Sequence, residues 1–175
     1  MKLAEFNALS TDEAVKDLMR CCGARRWATQ VAARRPYNTV ESVMKMADDL
    51  WARMDRADAL EAFSHHPKIG DVASLRTRFA STSQWASGEQ SGVQSAGDDV
   101  LQRLADGNAA YEEKFGYIFI VCATGKTAPE MVELLEARLN NRPADELRVA
   151  AGEQAKITRI RLGKLFHEEV LGDTK

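Results

Sequence analysis

The chain has 175 residues, of which 45% are hydrophobic and 29% are charged, and its formal net charge is −2. This length and composition are those of an ordinary soluble globular domain with one buried core. The near-neutral charge excludes the overall basic field that attracts nucleic acid or anionic membrane surfaces. No run approaches the roughly 18 consecutive apolar residues of a transmembrane helix. We therefore expect neither nucleic acid nor a membrane as a partner.

The termini and the cysteines favour a reducing compartment. The N-terminal residues MKLAEFNALSTDEA contain early acidic side chains and no long apolar stretch, so we expect no secretory signal. The three cysteines include the adjacent pair Cys21 and Cys22, and this odd number argues against a disulfide framework. Both features predict a cytoplasmic protein.

Capping signals predict helices from the first residues onward. Ser10 with Glu13 is a capping box that opens a helix, which Gly23 would close. A second helix is predicted over residues 24–35, and Asn38 is predicted to cap an amphipathic third helix. A short helix over residues 57–64 then leads into the sequence SHHPKIGD.

The second half of the chain continues this pattern with one exception. Residues 81–97 are polar and rich in Ser and Gly, which predicts a linker or a functional loop. Residues 117–123 are the one strand-like run and are predicted to be a buried extended segment. Thr127 with Glu130 caps the next helix, and Pro143 begins the last one, predicted to reach about Val170. The sequence predicts a single all-α domain over residues 1–175, with about seven to nine helices.

The adjacent histidines His65 and His66 allow three interpretations. As a metal site they lack further ligands at workable spacing, and neighbouring residues on a helix point about 100° apart. As residues at the end of a helix that Pro67 terminates, they would have no chemical function. As an acid–base group, one imidazole can give and take a proton at neutral pH.

Two further positions are candidates for a polar site. Glu89 and Gln90 lie in SGEQSG, whose small residues favour a turn. They are either a solvated pair in a loop or polar partners of His66. A carboxylate beside His66 would hold its tautomer and raise its pKa. Arg161 lies on or beside the core-facing seam of the last helix, between Ile157 and Leu165. Its side chain either extends to solvent or points into a pocket, where the planar guanidinium group would bind a carboxylate through two hydrogen bonds.

The chain resembles the 2-oxo-4-hydroxy-4-carboxy-5-ureidoimidazoline (OHCU) decarboxylase family. Six segments match in the family's order, namely FNALSTDEA, HPKIGD, GEQSG, NAAYEEKFGYIFIVCATGKT, LNNRPADEL and KITRIRL. The resemblance implies an all-helical homodimer, without a metal or an organic cofactor, that decarboxylates OHCU to (S)-allantoin in urate catabolism.

The resemblance also implies roles for individual residues. The catalytic histidine is His66, because it precedes the proline of the HP motif, and the other catalytic residues are Glu89 and Arg161. His66 would handle the substrate hydroxyl and supply a proton, Glu89 would orient His66 or the hydroxyl, and Arg161 would anchor an anionic or carbonyl oxygen. Backbone amides of residues 119–123 would stabilise developing negative charge.

A second set of residues is implied to contact the substrate. Some family members have a serine three residues before the glutamate, where this chain has Ala86, so Ser87 is the candidate replacement. The implied binding residues are Pro67, Ser87, Gln90, Phe119, Ile120, Val121, Cys122 and Ala123.

Two other classes of function remain as alternatives at this point. A non-catalytic helical interaction module, such as a nucleic-acid binder, would show a basic recognition face. A metal-dependent hydrolase would use His65 and His66 as ligands, which metal analysis of the purified protein would reveal.

Overall fold

The computed structural model describes residues 1–67, 72–79 and 90–166, with only the backbone described for 77–79 and 90–96. Within these ranges the chain is helical and has no strand, which confirms the predicted all-α class. None of the described helices combines the length and the apolar composition that crossing a membrane requires. The helices are α1 (Leu3–Ala8), α2 (Thr11–Cys21), α3 (Arg25–Ala32), α4 (Val40–Trp51), α5 (Arg56–Ser64), α6 (Val72–Phe79), α7 (Gln90–Phe115), α8 (Ala128–Leu139) and α9 (Pro143–Leu165).

The capping boxes at Ser10 and Thr127 are confirmed, because each side chain accepts a hydrogen bond from the backbone N–H three residues later. The prediction that Asn38 caps α4 is wrong. The cap is Thr39, whose Oγ1 lies 3.1 Å from the backbone nitrogen of Ser42, while the Ser42 hydroxyl lies 3.3 Å from the backbone nitrogen of Thr39. This reciprocal pair satisfies two amide groups at the helix start.

The expectation of an irregular segment over residues 81–97 is wrong for its second part, because α7 begins at Gln90. Extending an existing helix adds one hydrogen bond per residue, whereas starting a helix is costly. Each Ser or Gly between positions 90 and 97 destabilises a helix by only about 1 kcal/mol or less. They therefore continue the long helix rather than interrupt it.

The described chain forms two compact units. Unit 1 contains Met1–His66, Ile120–Cys122 and the chain from Ala150 onward, and unit 2 contains Pro67–Phe119 and Ala123–Val149. The prediction of one domain over residues 1–175 stays a prediction. In unit 1, Trp27 is completely buried and its indole N–H donates to the carbonyl of Ala47 at 3.0 Å. Phe6 and Phe166 pack edge to face with ring centroids 5.3 Å apart.

The segment over residues 117–123 lies outside the helices and is largely buried, which confirms the predicted burial. Gly116 and Gly125 bracket it with φ angles of 79° and 76°. Side chains with a Cβ rarely adopt these positive angles, so both glycines allow the chain to turn at the ends of the segment.

Unit 2 contains a buried ion pair between Arg138 and Glu146. Glu146 is completely buried, and its carboxylate accepts hydrogen bonds from Arg138, Tyr111 and Asn141. The Arg138 guanidinium also lies over the ring of Phe119, 4.6 Å from its centroid. Several donors and an aromatic face therefore compensate the desolvation of these two charges.

We expect Glu146→Gln to lower the free energy of unfolding by about 3–5 kcal/mol, because it removes the buried carboxylate charge that accepts hydrogen bonds from Arg138. The matched control is Glu136→Gln, which breaks an exposed ion pair with Arg103 and should cost about 1 kcal/mol or less. Urea unfolding of both variants measures the difference. Equal losses in the two variants would contradict this assignment.

Candidate functional site

His66 lies directly after α5, where the backbone leaves the helix. Asp55 caps the start of α5 through hydrogen bonds from the N–H groups of Ala57 and Asp58. At the other end the N–H groups of His65 and His66 donate to carbonyls of the last turn. His65 is exposed and His66 is half-buried. The two histidines therefore differ in environment, and His66 is the one that faces the protein interior.

The side chain of His66 is held by a chain of hydrogen bonds to α9. Its Nε2 lies 2.6 Å from Oε1 of Gln154, and Nε2 of Gln154 donates to Oγ1 of Thr158 at 3.1 Å. Gln154 is 0% exposed and Thr158 is 7% exposed. Residues four apart lie on the same face of a helix, so one face of α9 presents this polar pair to His66.

Arg161 follows on the same face of α9, seven residues after Gln154. It is half-buried, and its Nη1 is 3.4 Å from the carbonyl oxygen of Cys21, the last residue of α2. A cation at this helix end complements the helix dipole. Within the described part of the chain, no carboxylate forms an ion pair with Arg161. Its fork therefore retains the capacity to bind an anion.

The environment of His66 favours the neutral imidazole. Burial lowers the pKa of His66, and the nearby positive charges of Arg161 and His65 lower this pKa further. The hydrogen bond with Gln154 acts in the opposite direction but does not reverse the shift. The carboxylate predicted to raise this pKa, Glu89, lies outside the described residues, so that expectation stays a prediction. The described partner is an uncharged amide, and the net shift is downward.

The thiols beside Arg161 are not nucleophiles at neutral pH. Burial raises the pKa of Cys21 to about 12 and that of Cys22 to about 11. Thr158 and the backbone of Ala24 lower the pKa of Cys22, but they do not offset the effect of its burial. Since the reactive form of cysteine is the thiolate, the two cysteines act as small buried packing residues.

The predicted substrate-contact segment divides between the two units. In unit 1, the backbone N–H of Cys122 donates to Oε2 of Glu153 at 2.7 Å. One of the amides predicted to stabilise negative charge on the substrate therefore already has a carboxylate as its acceptor. Ile120 is buried and Val121 is half-buried. In unit 2, Phe119 packs against Tyr111 and the carbonyl of Ala123 accepts from the amide of Lys126.

Some of the predicted site residues cannot be compared with the structure. Glu89 and Ser87 lie outside the described residues, and Gln90 is described only as the first residue of α7. Pro67 is exposed. The roles predicted for these four residues stay predictions.

Gly23 allows the close approach of the chain to His65. A Cβ atom on Gly23 would lie 2.5 Å from both Cβ and Cγ of His65. Because Cβ is fixed to the backbone, a rotamer change cannot relieve this overlap. Gly23 therefore positions the His65–His66 pair, in addition to its predicted place after α2.

In the described part of the chain, no group of three or more His, Cys, Asp or Glu side chains is arranged to hold a metal ion. The described residues therefore supply no further ligands for a metal ion bound by His65 and His66.

The model of the OHCU decarboxylase family matches residues 7–163. The chain belongs to this family. A solved structure of an OHCU decarboxylase in the presence of (S)-allantoin superimposes with a TM-score of 0.69 and 38% identity, covering 86% of this chain and 97% of that one. The resemblance stated from the six sequence segments is therefore confirmed.

Two curated relatives illustrate the range of the family. The uric acid degradation bifunctional protein TTL of Arabidopsis thaliana is 39% identical over 85% of this chain and 46% of its own length. The OHCU decarboxylase of Haloferax volcanii is 26% identical over 97% of this chain and 98% of its own length. The chain thus spans less than half the length of the Arabidopsis thaliana protein and nearly the whole length of the Haloferax volcanii protein.

Sequence reasoning did not identify Gln154 and Thr158 as site residues. The signal was present, because Gln154 lies in the otherwise apolar seam that contains Ala150 and Ile157. A buried polar side chain needs a hydrogen-bond partner. Its distance from His66 in the sequence, 88 residues, explains why no local pattern revealed that partner.

We expect Gly23→Ala to destabilise the protein by about 1–3 kcal/mol, because the new methyl group overlaps His65. The control is Gly152→Ala on α9, where an added Cβ meets no atom within 4 Å. This control should be neutral or stabilise by up to about 1 kcal/mol through helix propensity. Urea unfolding distinguishes the two variants, and a neutral Gly23→Ala would show that the close approach carries no constraint.

Proposed function

We propose that this protein decarboxylates OHCU to (S)-allantoin in urate catabolism, without a metal or an organic cofactor. Membership of the OHCU decarboxylase family supports the reaction, and so does the similarity to a decarboxylase crystallised in the presence of (S)-allantoin. Loss of CO2 leaves an electron pair that the adjacent ring carbonyl and C=N groups can delocalise. No cofactor is needed as an electron sink for this step.

The observation that carries the proposal is that His66 and Arg161 lie near each other in unit 1. Arg161 lies close enough for its charge to lower the pKa of His66, and it has no carboxylate partner among the described residues. A neutral base beside an available cation suits a small anion that carries a hydroxyl group.

His66 acts as the acid–base group in this mechanism. Its neutral imidazole accepts the proton of the substrate hydroxyl as the carbon that bears it becomes a carbonyl. The electron pair left by CO2 passes to the C=N nitrogen, which takes a proton from solvent. The imidazolium then returns its proton to the adjacent ring carbon on one face, which sets the S configuration. Arg161 binds an anionic or carbonyl oxygen of the substrate.

The remaining predicted residues have supporting roles in the proposal. Glu89, predicted to orient His66 or the substrate hydroxyl, acts on the hydroxyl in this mechanism, and backbone amides stabilise developing charge. Since Glu153 occupies the amide of Cys122, substrate must displace this carboxylate to use that donor. The other proposed contacts are Pro67, Ser87, Gln90, Phe119, Ile120, Val121 and Ala123.

We further propose that the protein works in the cytoplasm as a homodimer. All three cysteines are buried free thiols, which agrees with a reducing compartment. The resemblance to the family supports the dimer, and light scattering of the purified protein measures it.

We expect His66→Gln to lower the enzymatic rate by about 10²–10⁴-fold, because general acid–base catalysis is lost. The exposed neighbour provides the matched control, and His65→Gln should stay close to wild type. Circular dichroism follows (S)-allantoin while uricase and the preceding hydrolase generate the substrate in situ. Wild-type turnover by a folded His66→Gln variant would remove His66 from the mechanism.

We expect Arg161→Ala to raise KM by about 10–100-fold, the range for a lost hydrogen bond to a charged group. Arg159→Ala is the control, since Arg159 is on the same helix but pairs with Asp48 and Glu41 at the surface. The same coupled assay over a range of substrate concentrations separates KM from kcat. Equal KM values for the two variants would exclude Arg161 as a substrate anchor.

A further inference from the structure

Gln154 occupies an unusual position for a neutral polar side chain. It is 0% exposed, and burying an amide costs free energy unless its groups are hydrogen-bonded. Its two polar atoms have different partners, since Oε1 contacts His66 and Nε2 contacts Thr158. The burial is therefore compensated only while this chain of three side chains is intact.

The direction of these hydrogen bonds determines where His66 carries its proton. The Gln154 carbonyl oxygen is only an acceptor, so Nε2 of His66 must be the donor in their 2.6 Å contact. A neutral imidazole has one N–H. Its second nitrogen, Nδ1, then holds the lone pair, and Nδ1 has no hydrogen-bond partner among the described residues.

We propose that Gln154, oriented by Thr158, is the positioning residue that fixes His66 as the Nε2–H tautomer and leaves Nδ1 as the atom that exchanges protons with substrate. The catalytic use of Nδ1 rests on the proposed decarboxylase function, whereas the tautomer is a property of the protein alone.

The hydroxyl of Thr158 contacts the N–H side of the Gln154 amide. The hydroxyl oxygen accepts from the amide N–H group, so the amide oxygen points to His66. Without this acceptor the amide can rotate by half a turn and present N–H to His66. Nε2 would then have to accept, and the imidazole proton would move to Nδ1. The orientation of one amide therefore selects between the two tautomers.

A glutamine also serves this position better than a carboxylate would. A carboxylate beside Nε2 would favour imidazolium, which cannot accept a proton from substrate. Gln154 provides the same acceptor geometry without charge. Arg161 and His65 also disfavour imidazolium at His66. The described surroundings thus keep His66 ready to act as a base.

Nitrogen NMR of the full-length protein tests the tautomer directly. With [15N]-histidine labelling, and His66→Gln to assign the signal, we expect Nε2 of neutral wild-type His66 to be protonated and Nδ1 to be unprotonated. The exposed His65 is the internal reference. Thr158→Val should shift His66 towards a mixture of tautomers, and Thr158→Ser should restore the wild-type shifts. A protonated Nδ1 in the wild type, or unchanged shifts in Thr158→Val, would overturn the proposal.

Kinetics of Gln154 variants test the consequence for catalysis. Gln154→Leu should lower kcat/KM by about 10²-fold through misplacement of the base. Gln154→Glu, which keeps the shape, should raise the pH at which kcat/KM falls on the acid side, because a nearby carboxylate stabilises imidazolium. A merely structural residue would change the rate equally at all pH values. A wild-type pH profile in Gln154→Glu would overturn the proposed role.

The two experiments separate this inference from the proposed function. If the wild-type protein does not accelerate formation of (S)-allantoin, the decarboxylase proposal fails, and the nitrogen shifts still establish or refute the tautomer. If the wild type is active but Nδ1 carries the proton, the decarboxylase proposal stands and the role of Gln154 is refuted.

Discussion

The hydrogen bond between His66 and Gln154 is the constraint on which the candidate site depends. It joins the end of α5 to the interior face of α9 across 88 residues of sequence. Both ends are fixed by local structure. The cap at Asp55 fixes the start of α5, and the missing side chain of Gly23 lets the end of α5 approach α2 closely. The helical repeat of α9 places Gln154, Thr158 and Arg161 on one face.

The charge balance of this site follows from the same hydrogen bond. A neutral acceptor at Nε2 adds no negative charge, so burial and the charge of Arg161 determine the direction of the His66 pKa shift. No described carboxylate forms an ion pair with Arg161, so its positive charge remains available near a neutral base. In the proposed function, an anionic substrate pairs with Arg161 and its hydroxyl supplies the proton that His66 accepts.

Sequence alone could predict the elements whose signals are local. Ser10 and Thr127 were identifiable as caps because each lies three residues before its partner, and the burial of residues 117–123 was identifiable from their apolar run. The cap of α4 was misassigned to Asn38 because Thr39 and Ser42 are an equally local pair with less distinctive side chains. The partner of His66 was beyond this reasoning, since only the tertiary fold places Gln154 beside it. The six family segments indicated His66 and Arg161, and the role of Glu89 depends on that resemblance.

The comparison of two buried polar clusters explains why burial alone does not mark a functional residue. Glu146 in unit 2 is as buried as Gln154 in unit 1, and it carries a full charge. However, Arg138, Tyr111 and Asn141 all donate to its carboxylate, so its charge and its acceptor capacity are used within the protein. Such a network stabilises a fold and has little left to offer a ligand. The hydrogen bonds through Gln154 end differently, because among the described residues Nδ1 of His66 has no hydrogen-bond partner and Arg161 has no carboxylate partner. Unused bonding capacity at the end of an ordered network is what distinguishes a site for chemistry from a structural cluster.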